Sequence, residues 1–307
     1  MAKGNRADSV TSTSNMNPLM NKRPGLIQIH LAVFLFGFAG LFGKFIHIHP
    51  VAITFGRTFF AGITLLIGLT LTRTTFSIQS RRDFLTLLLS GVVLAVHWFT
   101  FFQSIQLSSV AIGLLSFSTF PLFVTFMEPY FFGEKLKGFD VVIAVIVVIG
   151  LSLVIPAFDL SNHVTQGVFW GILSGLTFAI LSLLNRMHVS RLQPLAVAFY
   201  QHAFATLFNL PAVILSGVSP SAQDILLLLV LGVICTALAQ LLFIGSLRHI
   251  KAQLASVTAG LEPVYGIVFA FLLLNEVPTL RTFIGGMMIL SAVFAAMVMQ
   301  MRVGQQG

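Results

Sequence analysis

The chain has 307 residues, of which 57% are hydrophobic and 8% charged, with a mean hydropathy of +0.97. A soluble globular chain is about 45–50% apolar, so water is excluded as its main solvent. The net charge of +8 is not gathered into any basic stretch interleaved with aromatic or base-reading residues, which excludes nucleic acid as a partner. Residues 1–24 are polar, rich in Ser, Thr and Asn, and lack the apolar centre of a signal peptide; they read as a disordered tail. Beyond them, a window of about 19 residues separates ten apolar segments. They are 25–46, 50–72, 83–105, 107–131, 139–157, 165–186, 194–216, 223–247, 252–274 and 280–301. A helix rising 1.5 Å per residue crosses the ~30 Å hydrocarbon layer in roughly 20 residues and satisfies its own backbone there. Membrane strands would alternate with polar residues, and Val141 to Val148 does not. The single cysteine, Cys235, lies in an apolar run and reads as a small buried hydrophobe, with no disulfide open to it.

Lys and Arg are spread very unevenly over the connections. The tail carries Lys3, Arg6, Lys22 and Arg23, and every second loop is basic: Arg73, Arg81 and Arg82, then Lys135 and Lys137, Arg186 and Arg191, Arg248 and Lys251, with Arg302 after the last segment. Only Lys44, Arg57 and Arg281 fall elsewhere. The positive-inside rule places the basic side, and both termini, in the cytosol. A repeat runs through the same segments. Pro121 and Glu134 recur as Pro263 and Glu276 at an offset of 142, which also pairs Lys44 with Arg186 and FFQSI at 101–105 with FIGSL at 243–247. Five spans per copy is odd, so the copies are inverted, a mark of carriers that bind substrate near the midplane. The expected fold is all-α and integral to the membrane, with ten helices in two inverted five-helix repeats at 25–157 and 165–301.

The run SSVAIGLLSFSTFPLFVTFMEPYFFGEKL at 108–136, with HWFTFFQSI at 97–105 before it, resembles the drug/metabolite transporter superfamily in its ten-helix EamA-type branch. FIGSLRH at 243 through NE at 275–276 repeats the match more loosely, and GFAGLFGK at 37–44 and Arg57 also fit the first repeat. The resemblance implies a central cavity among segments 1–4 and 6–9, with segments 5 and 10 peripheral. It also implies a small organic substrate, amino-acid-like or related, moved outward across a bacterial inner membrane. Segment 5 is aliphatic on all sides, which suits contact with lipid or with a second copy in a homodimer.

An ionisable group at the bilayer centre costs about 2.5–3.5 kcal/mol on insertion scales and is a functional candidate until a partner explains it. Glu262 reads as mid-helix, beside a kink at Pro263, with Thr258 and Tyr265 on its face. It is expected to face the cavity and to pair with a substrate ammonium or carry a proton, against a purely structural hydrogen bond. Pro121 holds the matching place, with Ser118, Thr125 and Glu128 on its stripe, and Glu128 reads as a rim residue pairing with Lys135 or Lys137. Arg57 would bind a substrate carboxylate through its fork or tie helices through backbone carbonyls. His97 and His202 suit a proton switch or hydrogen-bonded packing, on stripes with Thr100 and Ser104 and with Thr206 and Asn209 that are open to lining water. Trp98, Phe101 and Tyr265 offer aromatic walls, and Gln240 a neutral polar contact. Gly37, Gly40, Gly43, Gly171 and Gly175 allow close helix approach, and Glu134 and Glu276 are expected to bind amides at the start of the following helix.

HExxH, phosphate-loop and nucleophile–base patterns are missing, and His47 and His49 are weak as ligands, so no enzyme, cofactor or metal is expected. A carrier is the leading reading, with substrate, lipid and protons as partners. The rivals are an intramembrane enzyme or lipid-handling protein, and a channel, which would need a continuous polar path.

Overall fold

A computed structural model describes residues 23–74, 78, 80–133, 136, 138–155, 159–189, 191–246, 249 and 258–303. Expectations placed on the tail before Arg23, on Glu134, Lys135 and Lys137, and on Arg248 and Lys251 lie outside these residues, as do those on the side chains of Glu128, Arg186 and Arg302.

The described residues form helices only. The first half holds α1 (Arg23–Ala39), the short α2 (Phe42–Phe45), α3 (Pro50–Leu71), α4 (Arg81–Leu107), α5 (Val110–Phe117), α6 (Phe120–Phe132) and α7 (Gly138–Val154). The second holds α8 (His163–Val189), α9 (Pro194–Ser216), α10 (Ala222–Gly232), a π-helical turn (Val233–Leu238), α11 (Ala239–Ser246), α12 (Glu262–Leu274) and α13 (Leu280–Val303). Among the described residues seven stretches are long and apolar enough to cross a membrane, and Gly138–Val154, Glu262–Leu274 and Leu280–Ala296 are shorter apolar helices.

Local chemistry sets the ends. Ser80, Ser109 and Ser221 cap α4, α5 and α10 by accepting from Asp83, Ile112 and Asp224 N–H groups at 3.0, 3.2 and 3.1 Å. Pro50 and Pro194 open α3 and α9, where a missing N–H costs nothing. Gly133, Gly217 and Asn275 stop α6, α9 and α12 in the left-handed region, with φ of 72°, 60° and 54°.

Packing pairs α3 and α4 with α9 and α8, and α1 with α11 and α12. Helices α7 and α13 lie against each other at the edge. Segment 5 is therefore not lipid-facing all round: Ile143, Val147, Gly150 and Val154 are buried against α13, while Val141, Val142, Val145, Val148 and Ile149 are exposed. Its even aliphatic composition hides this, because a face packed on an apolar helix and a face in lipid select the same side chains. Exposed Leu71, Phe169, Ile214, Leu215, Leu226 and Leu272 form outer surface that only hydrocarbon would solvate.

Candidate functional site

Segments 4 and 9 are each broken near their middle. Helix α5 ends at Phe117, the chain passes Ser118 and Thr119 in a tight turn, and α6 restarts at Phe120 with Pro121 second. In segment 9, Thr258 and Ala259 are helical, Gly260 and Leu261 turn, and α12 starts at Glu262 with Pro263 second. The turn bonds correspond: Thr119 N–H donates to Ser116 O at 3.3 Å and Leu261 N–H to Thr258 O at 3.0 Å. Glu262 thus opens a half-helix rather than lying in a kinked one, and the prolines mark helix starts. A proline early in a helix loses no intrahelical bond, whereas one inside it does.

The two breaks face each other across a small cavity of about 10 Å³ lined by Phe117, Ser118, Phe120, Ala259, Gly260, Glu262 and Pro263, with Leu290 and Val293 of α13. Ser118 and Thr258 are buried, and Ser118 Oγ donates to Leu114 O at 2.7 Å. Two glycines let neighbouring helices reach the breaks. A Cβ on Gly37 would stand 2.9 Å from Glu262 O, and one on Gly175 would stand 3.0 Å from Phe117 O. Tyr265 turns from the cavity into a ring contact with Phe34 at 5.9 Å.

Arg57 is fully buried in α3. Its Nε donates to Thr236 Oγ1 at 2.8 Å, and its guanidinium carbon sits 3.2 Å over the Trp98 ring centroid. The structural role expected of it is thus carried by a hydroxyl and an indole face, not by backbone carbonyls. Thr236 was missed in the sequence. It lies in the π-helical turn and donates to Leu231 O at 2.7 Å, and its own neighbours give no sign of an extra residue in the turn. Nη1 and Nη2 of Arg57, Nε1 of Trp98 and Nε2 of both His97 and His202 are buried without a hydrogen-bond partner among the described residues. His97 is fixed from its other side, Nδ1 lying 3.1 Å from Ser174 O and 3.0 Å from Ser174 Oγ, and rings of Trp98, Phe101, Phe117 and Phe178 surround it. His202 Nδ1 lies 2.9 Å from Ala198 O, and since a carbonyl only accepts, the proton is on Nδ1. Arg57 is within electrostatic reach of Glu262, His97 and His202, though it bonds none of them.

The hydroxyl stripes beside the histidines spend their donors within the protein. Thr100 Oγ1 donates to Val96 O, Ser104 Oγ to Gly167 O at 2.6 Å, and Asn209 Nδ2 to Ala205 O, while Thr206 and Thr58 hydroxyls meet at 2.9 Å. These groups satisfy themselves on backbone or on each other, as buried polar atoms in an apolar bundle must. Gln240 is half-buried in α11 and makes no hydrogen bond among the described residues, and Phe101 is core. Glu276 does cap a helix, but not the following one: its Oε2 accepts from Val110 N–H, the first residue of α5, at 2.9 Å. Beside it, Lys44 Nζ donates to Ser108 O at 2.8 Å. Both ends of the α4–α5 turn are thereby held by charges from elsewhere in the chain. Among the described residues no group of three or more His, Cys, Asp and Glu gathers for a metal.

A family model of EamA-like transporters matches residues 23–155 and again 165–298. The chain belongs to the EamA-like transporter family. Among the curated relatives of this EamA-like chain, an uncharacterized transporter, YxxF, of Bacillus subtilis is 26% identical over 285 residues, covering 90% of each chain. The pseudopaline exporter CntI of Pseudomonas aeruginosa is 28% identical over 233 residues, covering 76% of this chain and 81% of its own length. An S-adenosylmethionine uptake transporter of Rickettsia conorii is 23% identical over 246 residues, covering 79% and 81%. One crystal structure, at 18% identity, superposes with a TM-score of 0.63 over 93% of this chain and 99% of its own, which is a likeness of fold. The chain is an integral membrane protein of a transporter family.

Proposed function

We propose that this transporter is a secondary carrier moving a small organic metabolite across the inner membrane by alternating access, with two inverted five-helix repeats, 25–157 and 165–301, rocking about a midplane site. The observation that carries the reading is the pair of helix breaks, 142 residues apart, closing on one cavity that contains Glu262. Discontinuous helices at mid-depth expose half-helix ends that a substrate or ion can use, and such backbone is tolerated in a membrane only where protein or a cavity shields it. At about 10 Å³ the cavity is too small for a metabolite, so in this reading the breaks part to load it.

Glu262 is the coupling residue in this reading, binding a substrate ammonium or a proton, with Ser118 and Thr258 beside it. Arg57, Trp98, His97, His202 and Gln240 complete the proposed set of groups for substrate or coupling, while Phe101 in the core and Tyr265 against Phe34 would have to move to join them. Both termini face the cytosol, and outward movement is the direction we propose, as in the CntI exporters; the uptake transporters set the opposite outcome. Protein in liposomes, offered labelled amino acids, nucleosides and amines, is expected to show saturable flux accelerated by substrate on the far side. Flux without such counterflow indicates a pore and overturns the carrier. Glu262→Gln is expected to remove the pH dependence of flux, and an unchanged rate and pH profile would end its coupling role.

A further inference from the structure

Resting on the carrier reading, we infer that the substrate carries a carboxylate and that Arg57 is its anchor, with Trp98 as the positioning platform. A guanidinium offers two kinds of surface, a flat face for aromatic stacking and an edge of N–H donors. Trp98 takes the face at 3.2 Å, and Thr236 takes Nε at 2.8 Å. What remains is the terminal edge, Nη1 and Nη2, whose donors are buried and unpartnered among the described residues. Stacking and edge bonding do not compete, so both partners already present orient the fork without consuming it. Two parallel N–H groups fit the two oxygens of a carboxylate.

The surroundings argue for one such anion. Arg57 is fully buried, with the Phe102 ring centroid 5.8 Å from its guanidinium carbon beside Trp98, and a lone cation is costly there. Glu262 lies within electrostatic reach but does not bond it. A monoanion laid on the free edge completes the charge balance and the hydrogen bonds together. A dianionic phosphate would leave excess charge in apolar surroundings, and chloride would satisfy one direction only. The Nε1 donor of Trp98, on the ring that the guanidinium stacks over, is also without a partner among the described residues.

The test uses the full chain in detergent with matched probes: 3-phenylpropionate against 3-phenylpropionamide, leucine against leucinamide, and lactate against lactamide, with phenyl phosphate added. The chain has two tryptophans, so Trp170→Phe leaves Trp98 emission as the reporter beside the melting temperature. At least one acid is expected to shift both, its amide binding on the order of tenfold or more weaker, with phenyl phosphate inert. Arg57→Lys keeps the charge without the fork and is expected to weaken the acid while leaving the amide unchanged, and Arg57→Met to lose the acid response. The inference is overturned if amides match acids, if Arg57→Lys binds the acid as the parent does, if phenyl phosphate is the better ligand, or if no acid perturbs Trp98. Counterflow of the same compounds separates the two readings. Carboxylate-independent counterflow leaves the carrier standing without this anchor, and an acid that perturbs Trp98 yet never crosses leaves the anchor without the carrier.

Discussion

Thr236 holds Arg57 in place with one hydroxyl, accepting from Arg57 Nε while donating to Leu231 O. The π-helical turn makes this possible: with one extra residue in the turn, the carbonyl five positions back becomes the partner, and the hydroxyl swings towards α3. Thr236→Val keeps the volume and removes the acceptor, leaving another donor of a buried cation unpaired. Loss of a buried partner costs about 1–3 kcal/mol, so the variant should melt lower and, with Trp170→Phe, show altered Trp98 emission as the stacked guanidinium loosens. An emission spectrum unchanged from the parent would mean that Trp98 alone positions Arg57. Arg57 itself was legible in the sequence, because an arginine within an apolar segment needs an explanation. Thr236 was not, since one more threonine in a hydrophobic helix carries no mark of a changed turn.

Among elements, the breaks in segments 4 and 9 were only half legible. Pro121 and Pro263 were visible, but a 19-residue hydropathy window averages over two turn residues, so a helix that stops and restarts looks like one that bends. The Glu276 contact was hidden for another reason: its partner, Val110, is 166 residues away and offers only a backbone amide, which every residue possesses. Glu276 and Lys44 act as a charged clasp on the α4–α5 turn, the carboxylate at a helix start and the ammonium at a helix end, each on the side that the helix dipole favours. Glu276→Ala should cost about 1 kcal/mol, as a lost N-cap does, and speed amide hydrogen exchange at Val110; unchanged exchange there would show that the clasp is idle. At the other end of α4, beyond the apolar span that ends at Asn185, His188 Nε2 lies 2.9 Å from Thr86 Oγ1. Burial pushes the His188 imidazole below its ordinary value, partly opposed by Asp83. The fold therefore binds fewer protons there than the unfolded chain, and its contribution is complete above about pH 6.5 and lost as pH falls below that. His188→Gln should flatten the decline in melting temperature between pH 7 and 5, and an equally steep decline would place the acid sensitivity elsewhere.

Across the whole molecule, the scaffold repeats and the chemistry does not. Helices α6 and α12 start at Phe120 and Glu262, and α7 and α13 at Gly138 and Leu280, each pair 142 apart. The same offset puts Phe199 opposite Arg57, Gln240 opposite Trp98, Phe60 opposite His202 and Leu94 opposite Thr236. A duplicated frame can supply two equivalent breaks and thus two ways to close, whereas one substrate needs one set of contacts, so the polar residues need appear in only one copy. That division explains why the all-helical, membrane-embedded class and the 142-residue offset of the breaks could be read from composition and repeat, while the neighbours of Arg57 needed the packed structure. Under the proposed topology of five crossings per copy, the chain reverses direction between copies, so the two copies would be oppositely oriented. Leu136 follows segment 4 and Val277 follows segment 9, and both are exposed. Cys235 is buried, so a cysteine introduced at either position can be read against a quiet background. In intact cells an impermeant maleimide should label Val277→Cys and spare Leu136→Cys until the membrane is opened, because the topology proposed from the positive-inside rule puts the basic loop around Leu136 in the cytosol. Labelling of both from one side would mean parallel copies, and the two breaks could not then alternate in opening the cavity to opposite sides.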